Sequence, residues 1–105
     1  MLCDRFVRRL VEFHPEALAE FEEAAKYYET QEQGLGHEFV TAIDEQVQRL
    51  LENSALGQPV GQKGLRRSVN RRFPYSLFYH VTAERLLILA VAHQHRRPGY
   101  WRYRL

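Results

Sequence analysis

The stretch RFPYSLFYHVTAERLLILAVAHQHRRPGYWRYRL, residues 72–105, decides the fold. Two strand-like runs lie in it, residues 73–81 and 86–93, and only Thr82, Ala83, Glu84 and Arg85 separate them. A link that short joins antiparallel neighbours, so the pair reads as a β-hairpin. The second run, LLILAVA, is apolar on both faces, as in a strand of a sheet covered on both sides. Strict alternation predicts Leu87, Leu89 and Val91 on one face, and Leu86, Ile88 and Ala90 on the other. In the first run, Phe73, Tyr75, Leu77, Tyr79 and Val81 share a face by the same rule. The hairpin then runs out into His93, His95, Arg96, Arg97, Tyr100 and Trp101. A buried strand thus delivers cations and aromatics to one edge of the molecule.

Working back from the hairpin, LRRSV at residues 65–69 is a short strand, and Asn70-Arg71 turns into the next one. Asn53-Ser54 and Gly57-Gln58-Pro59 read as loop. Residues 37–52 carry Phe39, Val40, Ile43, Val47, Leu50 and Leu51 at helical spacing. Residues 15–30 do the same with Ala17, Leu18, Phe21, Ala24, Ala25 and Tyr28. Pro15 suits a first helical turn, and Glu16 and Glu20 favour the helix dipole. Gln33-Gly34-Leu35-Gly36 breaks the pattern so briefly that the helices form an antiparallel hairpin. A first strand runs from about residue 7 to Phe13. The order is β-α-α-β-β-β. That is one α+β domain over residues 1–105, a helical hairpin packed on a small, mostly antiparallel sheet.

The chain has 105 residues, 45% of them hydrophobic and 27% charged, as in an ordinary single globular domain. No apolar run reaches the roughly 20 residues of a membrane span. The N-terminus lacks an apolar signal-peptide core, and the single Cys3 has no internal disulfide partner, so a reducing cytoplasm is expected. The net charge of +2 hides an asymmetry. Residues 1–52 hold 12 Asp/Glu against 5 Lys/Arg, a balance of −7, and residues 53–105 hold 10 Lys/Arg against the single acid Glu84, a balance of +9. One basic face is expected, suited to a polyanion or an acidic protein partner.

His93 and His95 lie on one side of an extended segment, but a zinc site wants three or four ligands and the only acid in the second half is Glu84, at the far end of the hairpin. No metal and no cofactor are expected. There is no Gly-rich phosphate loop, no G-x-S-x-G and no Cys/His nucleophile pair. Two readings of the basic edge stay open. His93, Arg72, Arg96 and Tyr100 could act on a phosphodiester, where a base, cations on the phosphate and an acid are required. A binding edge without chemistry needs only Arg66, Arg67, Arg97, Trp101 and Arg102, with Tyr100 and Trp101 as surface contacts.

The set VEFHPEA at 11–17, YYE at 27–29, LG-x-x-F at 35–39, FPY-x-x-x-Y at 73–79 and AVAHQHRRPGYW at 90–101 resembles the RelE/ParE superfamily of type II toxin–antitoxin toxins. The resemblance covers nearly the whole chain. It implies the same β-α-α-β-β-β fold, a bacterial cytoplasmic toxin, and a cognate antitoxin whose C-terminal segment wraps it. The RelE branch cleaves mRNA on the ribosome, and the ParE branch poisons DNA gyrase. Against the RelE-type nuclease set, Lys63 stands alone in the helix-to-sheet region. Arg66, Arg67 and Arg72 match the middle basics, His93 or Arg96 the end-of-strand position, and Tyr100 the tyrosine. The FPY and the AVAH-x-x-R-x-P-x-x-W ending look more like ParE. The resemblance therefore implies a gyrase poison first, a ribosome-dependent mRNA endonuclease second and a non-toxic nucleic-acid-binding module third.

Overall fold

The computed structural model describes residues 10–61, 64–97 and 99–104. Strand β1 is Leu10–Phe13, and the part of the expected first strand before it, like Cys3 and Lys63, lies outside the described residues. Helix α1 is Pro15–Gln31. Proline occupies its first turn, and His14 Nδ1 accepts the Glu16 N–H at 3.1 Å, satisfying a donor that the helix cannot.

Helix α2 is Leu35–Glu52, two residues longer at its start than the spacing of apolar residues predicts. Gly34 alone makes the reversal, at a φ of 88° that favours glycine. The Glu29 carboxylate then accepts the N–H groups of Gly34 and Gly36, each at 3.0 Å, so the first turn of α2 is already capped there. Gly36 is also where the two helices meet: a Cβ on it would stand 2.6 Å from the Ala25 carbonyl oxygen.

A 3₁₀ turn, Ser54–Leu56, leads to β2, Gln58–Pro59, a two-residue strand where the composition suggests loop. It pairs with β3, Leu65–Val69, through Gln58 opposite Arg67 and Pro59 opposite Arg66. The hairpin follows as β4, Tyr75–Val81, and β5, Arg85–His93, and a second 3₁₀ turn covers Arg102–Arg104. β4 starts two residues later than the alternation suggests, because the Asn70 side chain takes the Phe73 N–H at 2.9 Å and Pro74 has none. The sheet order is β1-β5-β4-β3-β2, with β1 parallel to β5 and every other pair antiparallel. This is the α+β helical hairpin on a mostly antiparallel sheet that the sequence implies, with one extra short strand.

Both faces of the sheet are covered, as LLILAVA requires. Ala17, Ala24, Phe39, Ile43, Val47 and Leu50 of the helices pack against Phe73, Leu77, Tyr79, Leu86, Ile88 and Val91 of the sheet. On the far face Leu65, Leu89, Ala90 and Trp101 form a second core, flanked by Val60, Phe78, Leu87 and Tyr100. The strict alternation expected along β5 fails after Ile88. Phe78 pairs with Ala90 and Tyr79 with Ile88, so Leu89 is an extra residue, a β-bulge. Leu89 and Ala90 both turn to the far face, and Val91 joins Leu86 and Ile88 on the helix side.

One buried polar network ties α2 to the sheet. Gln46 Nε2 donates to the Ser68 carbonyl (2.9 Å) and hydroxyl (2.8 Å), while its Oε1 accepts from Asn70 Nδ2 at 2.8 Å. Asn70 Oδ1 in turn accepts the N–H groups of Arg72 and Phe73, each at 2.9 Å, which fixes the turn carrying Arg71 and Arg72.

Candidate functional site

The far face of the sheet is not filled at the end where β5 runs out. There a cavity of about 160 Å³ lies between Arg67 of β3, Ser76 and Phe78 of β4, Ala92 and His93 of β5, and Gln94, Arg96, Arg97, Tyr100 and Trp101 beyond it. Its origin is in the side chains. Ser76 stands opposite Ala92 across the β4–β5 pair, and two small residues leave a hollow that Phe78 and Trp101 wall off. Those two rings are 4.7 Å apart.

Strand alternation sorts the arginines. Arg67, opposite Phe78, falls on the cavity side and is exposed. Arg66 falls on the other and donates from Nη1 to the Gly57 carbonyl at 2.6 Å, closing the loop before β2. Arg96 lies over the Tyr100 ring at 3.9 Å, a cation–π contact that leaves its N–H edge available. Among the described residues no carboxylate pairs with Arg67, Arg96 or Arg97. Arg102 is exposed on the terminal 3₁₀ turn, outside the cavity lining.

Of the four residues expected for phosphodiester chemistry, His93, Arg96 and Tyr100 line this cavity and Arg72 does not. Arg72 pairs with Glu38 and lines a separate, larger cleft of about 530 Å³ beside α2, with His37, Glu45, Arg49 and Arg71. The Tyr100 hydroxyl donates to Glu20 Oε2 at 2.8 Å. Burial, and then the Glu20 carboxylate, push its pKa well above the ordinary phenol value, so it keeps its proton. His93 borders the cavity, but its ring packs edge-on against Tyr75 at 5.2 Å and its Nδ1 accepts the His95 N–H at 3.1 Å. Arg96 lines the cavity with no carboxylate partner among the described residues. Trp101, expected as a surface contact, is a correction. It is 2% exposed and forms the centre of the far-side core, because the open sheet face above Leu89 and Ala90 needs an apolar cover. Among the described residues no group of three His, Cys, Asp or Glu could hold a metal ion, and no helix is long and apolar enough to cross a membrane.

The side chains that hold this end of the molecule together escaped the sequence reading. Arg104, 9% exposed, reaches Glu20 through Nη1 at 3.1 Å and Nη2 at 2.9 Å, and donates to the Leu89 carbonyl at 3.0 Å. Its Nε lies 3.1 Å from Glu16 Oε1 but without hydrogen-bond alignment, and the Tyr103 hydroxyl donates to that same oxygen. Glu20 Oε1 also accepts the Val91 N–H at 3.0 Å. β1 ends at Phe13, so the β5 backbone beyond Ile88 has no neighbouring strand on that side. Glu20 and Arg104 take its place as partners. Glu16 and Glu20 at i and i+4, with R-x-R at 102–104, were the available signal, but local periodicity does not join groups 84 residues apart.

The site is thus a cavity on a two-layer α+β domain, lined by arginines that no described carboxylate pairs, with the Tyr100 hydroxyl committed to Glu20 and the His93 Nδ1 to the His95 N–H. Comparisons with known proteins identify the family. A model described as "ParE toxin of type II toxin-antitoxin system, parDE" matches residues 11–98, and the chain belongs to that family. The fold is similar to that of a chain from a solved structure titled "Chromosomal ParDE TA system from P. aeruginosa", with a TM-score of 0.68, 23% identity, and coverage of 82% of this chain and 96% of that one. No curated protein matches the sequence significantly.

Proposed function

We propose that this ParE-family toxin arrests growth in the cytoplasm by poisoning DNA gyrase through contacts at its basic edge, and that a cognate antitoxin neutralises it. One observation carries the reading: the groups that a nuclease would need are engaged within the chain, while among the described residues no carboxylate pairs with Arg67, Arg96 or Arg97. Arg72 sits in another cleft, Tyr100 is committed to Glu20 and His93 to His95 and Tyr75. Arg67, Arg96 and Arg97 keep their charges for a partner.

For the antitoxin, two features support a segment with apolar and acidic residues. An apolar groove of about 300 Å³ runs between Val11 and Phe13 of β1 and Val40, Ile43 and Val47 of α2. The basic edge offers charge complementarity, which steers association and weakens as salt rises. An on-rate unchanged between low and high salt would count against this.

The test of the target uses growth arrest on induced expression, scored with the DNA-damage response and with mRNA cleavage mapped on translating ribosomes. His93→Gln should keep most of the toxicity, since binding needs no proton carrier there. Arg96→Ala/Arg97→Ala should reduce it. General acid–base catalysis contributes about 10²–10⁴-fold, so a nuclease would lose nearly all activity on His93→Gln. Codon-specific cleavage abolished by that change, without DNA damage in the parent, would install the mRNA endonuclease in place of the gyrase poison.

A further inference from the structure

We propose that the cavity at the end of the hairpin binds a phosphate ester, from a nucleotide or a nucleic acid strand, and holds it without cleaving it. The inference goes beyond the gyrase reading, since it concerns a ligand taken by the toxin itself.

Donors reach the cavity from three elements. Arg67 comes from β3, Ser76 from the floor on β4, and Arg96 and Arg97 from the segment after β5. Donors on three sides suit a tetrahedral oxyanion better than a planar carboxylate, which one guanidinium fork would satisfy from one side. Ser76 is 8% exposed, and among the described residues no partner takes its hydroxyl, which opens on the hollow. The volume of about 160 Å³ has room for roughly five waters, enough for a phosphate and part of its ester but not for a stacked base as well. Trp101 and Phe78 pack on each other with planes tilted by 31°, the indole buried and the phenyl ring half-buried, so they wall the site and do not clamp a base. Of the lining groups that could move a proton, the Tyr100 hydroxyl is committed to Glu20 and the His93 Nδ1 to the His95 N–H. The cavity thus supplies charge and hydrogen bonds to an oxyanion from Arg67, Ser76, Arg96 and Arg97.

Trp101 is the single tryptophan and lines the cavity, so its emission reports occupancy. The full chain is titrated with inorganic phosphate, a nucleoside 5′-monophosphate, a short single-stranded oligonucleotide and a glutamate-rich peptide. A saturable response to the phosphate compounds is expected. Arg67→Ala and Arg97→Ala should each weaken it about tenfold or more, and Ser76→Ala by less. Both arginines are exposed, so these variants should fold, and an unchanged thermal transition verifies it. An oligonucleotide at least about tenfold tighter than the mononucleotide, with steep salt dependence, assigns the phosphate to a strand. Equal affinities assign it to a free nucleotide. The oligonucleotide should be recovered intact. The proposal is overturned by no saturable response, by a response that survives in Arg67→Ala/Arg97→Ala, by tighter binding of the peptide than of any phosphate ester, or by cleavage of the oligonucleotide. Growth arrest is not read in this assay, so its failure leaves the gyrase reading standing.

Discussion

The two faces of the sheet are covered by different means. On the helix side, two helices of 17 and 18 residues bring many medium-sized side chains to a broad dry core. No single one of them closes it. On the far side a short irregular tail does the covering, with one large ring, Trp101, held in place by one ionic cluster, Arg104 on Glu20. Burial is distributed on the first face and concentrated on the second. The second face also keeps the open space and the unpaired cations. The stable face carries the fold, and the thinly built face carries the candidate site.

The comparison breaks first at Trp101. Trp101→Ala should cost about 3–5 kcal/mol, the range for removing a buried large aromatic, and should uncover Leu65, Leu89 and Phe78 together. Chemical denaturation gives the loss, and a change under about 1 kcal/mol would mean that the tail does not hold the far side closed. Any loss of toxicity in this variant then reflects packing, because the ring is not at the surface.

Leu89→Ala comes next, at about 2–5 kcal/mol, since Leu89 is fully buried beneath that ring. A loss below about 1 kcal/mol in the same unfolding measurement would make β5 peripheral there.

The smallest effect sharpens the comparison through pH. Burial, then Glu20, raise the Tyr100 pKa in the folded protein, and burial raises those of Tyr28, Tyr75 and Tyr79. Above pH about 10 the unfolded phenols ionise first. The folded state then binds more protons than the unfolded one, so stability falls as pH rises through and beyond that value. Each such phenol contributes at most about 1.4 kcal/mol per pH unit. Tyr100→Phe should flatten part of the decline between pH 9 and 11, with the rest surviving through the helix-side tyrosines. A denaturation midpoint in Tyr100→Phe that falls as steeply as in the parent would show that the far-side phenol is not held as described.

What was legible in the sequence follows the same division. α1, α2 and β3 announce themselves by regular spacing, and Phe73, Tyr75, Leu77, Tyr79 and Val81 do face the helices together. The two-residue β2 carries no period to read. The beginning of α2 was hidden because Gly34 and Gly36 look like one break, whereas only Gly34 turns and Gly36 is there for helix contact. Trp101 was misplaced because its neighbours are arginines and local polarity stood in for exposure. The cationic residues of the edge were all visible as residue types. Which of them share a cavity was not, since Arg66 and Arg67 differ only by the side of the strand on which they fall. The antitoxin and gyrase contacts rest on the family and on charge, and no local pattern names them.

Leu89 works as a phase shifter. Counting from Ile88 in strict alternation, with Leu89 as a regular strand residue, Ala90 and Ala92 would fall toward the helices, and Val91 and His93 toward the far face. Because Leu89 and Ala90 share the far face, the bulge exchanges them. Ala92 now floors the hollow opposite Ser76, and His93 stands opposite Tyr75 on the helix side. The same residues in a strand without the bulge would plug the cavity with a valine and aim an imidazole into what remained of it. Whether this receptacle has a floor of small side chains or is filled by large ones is thus set here by strand parity, with no change in which residues are present.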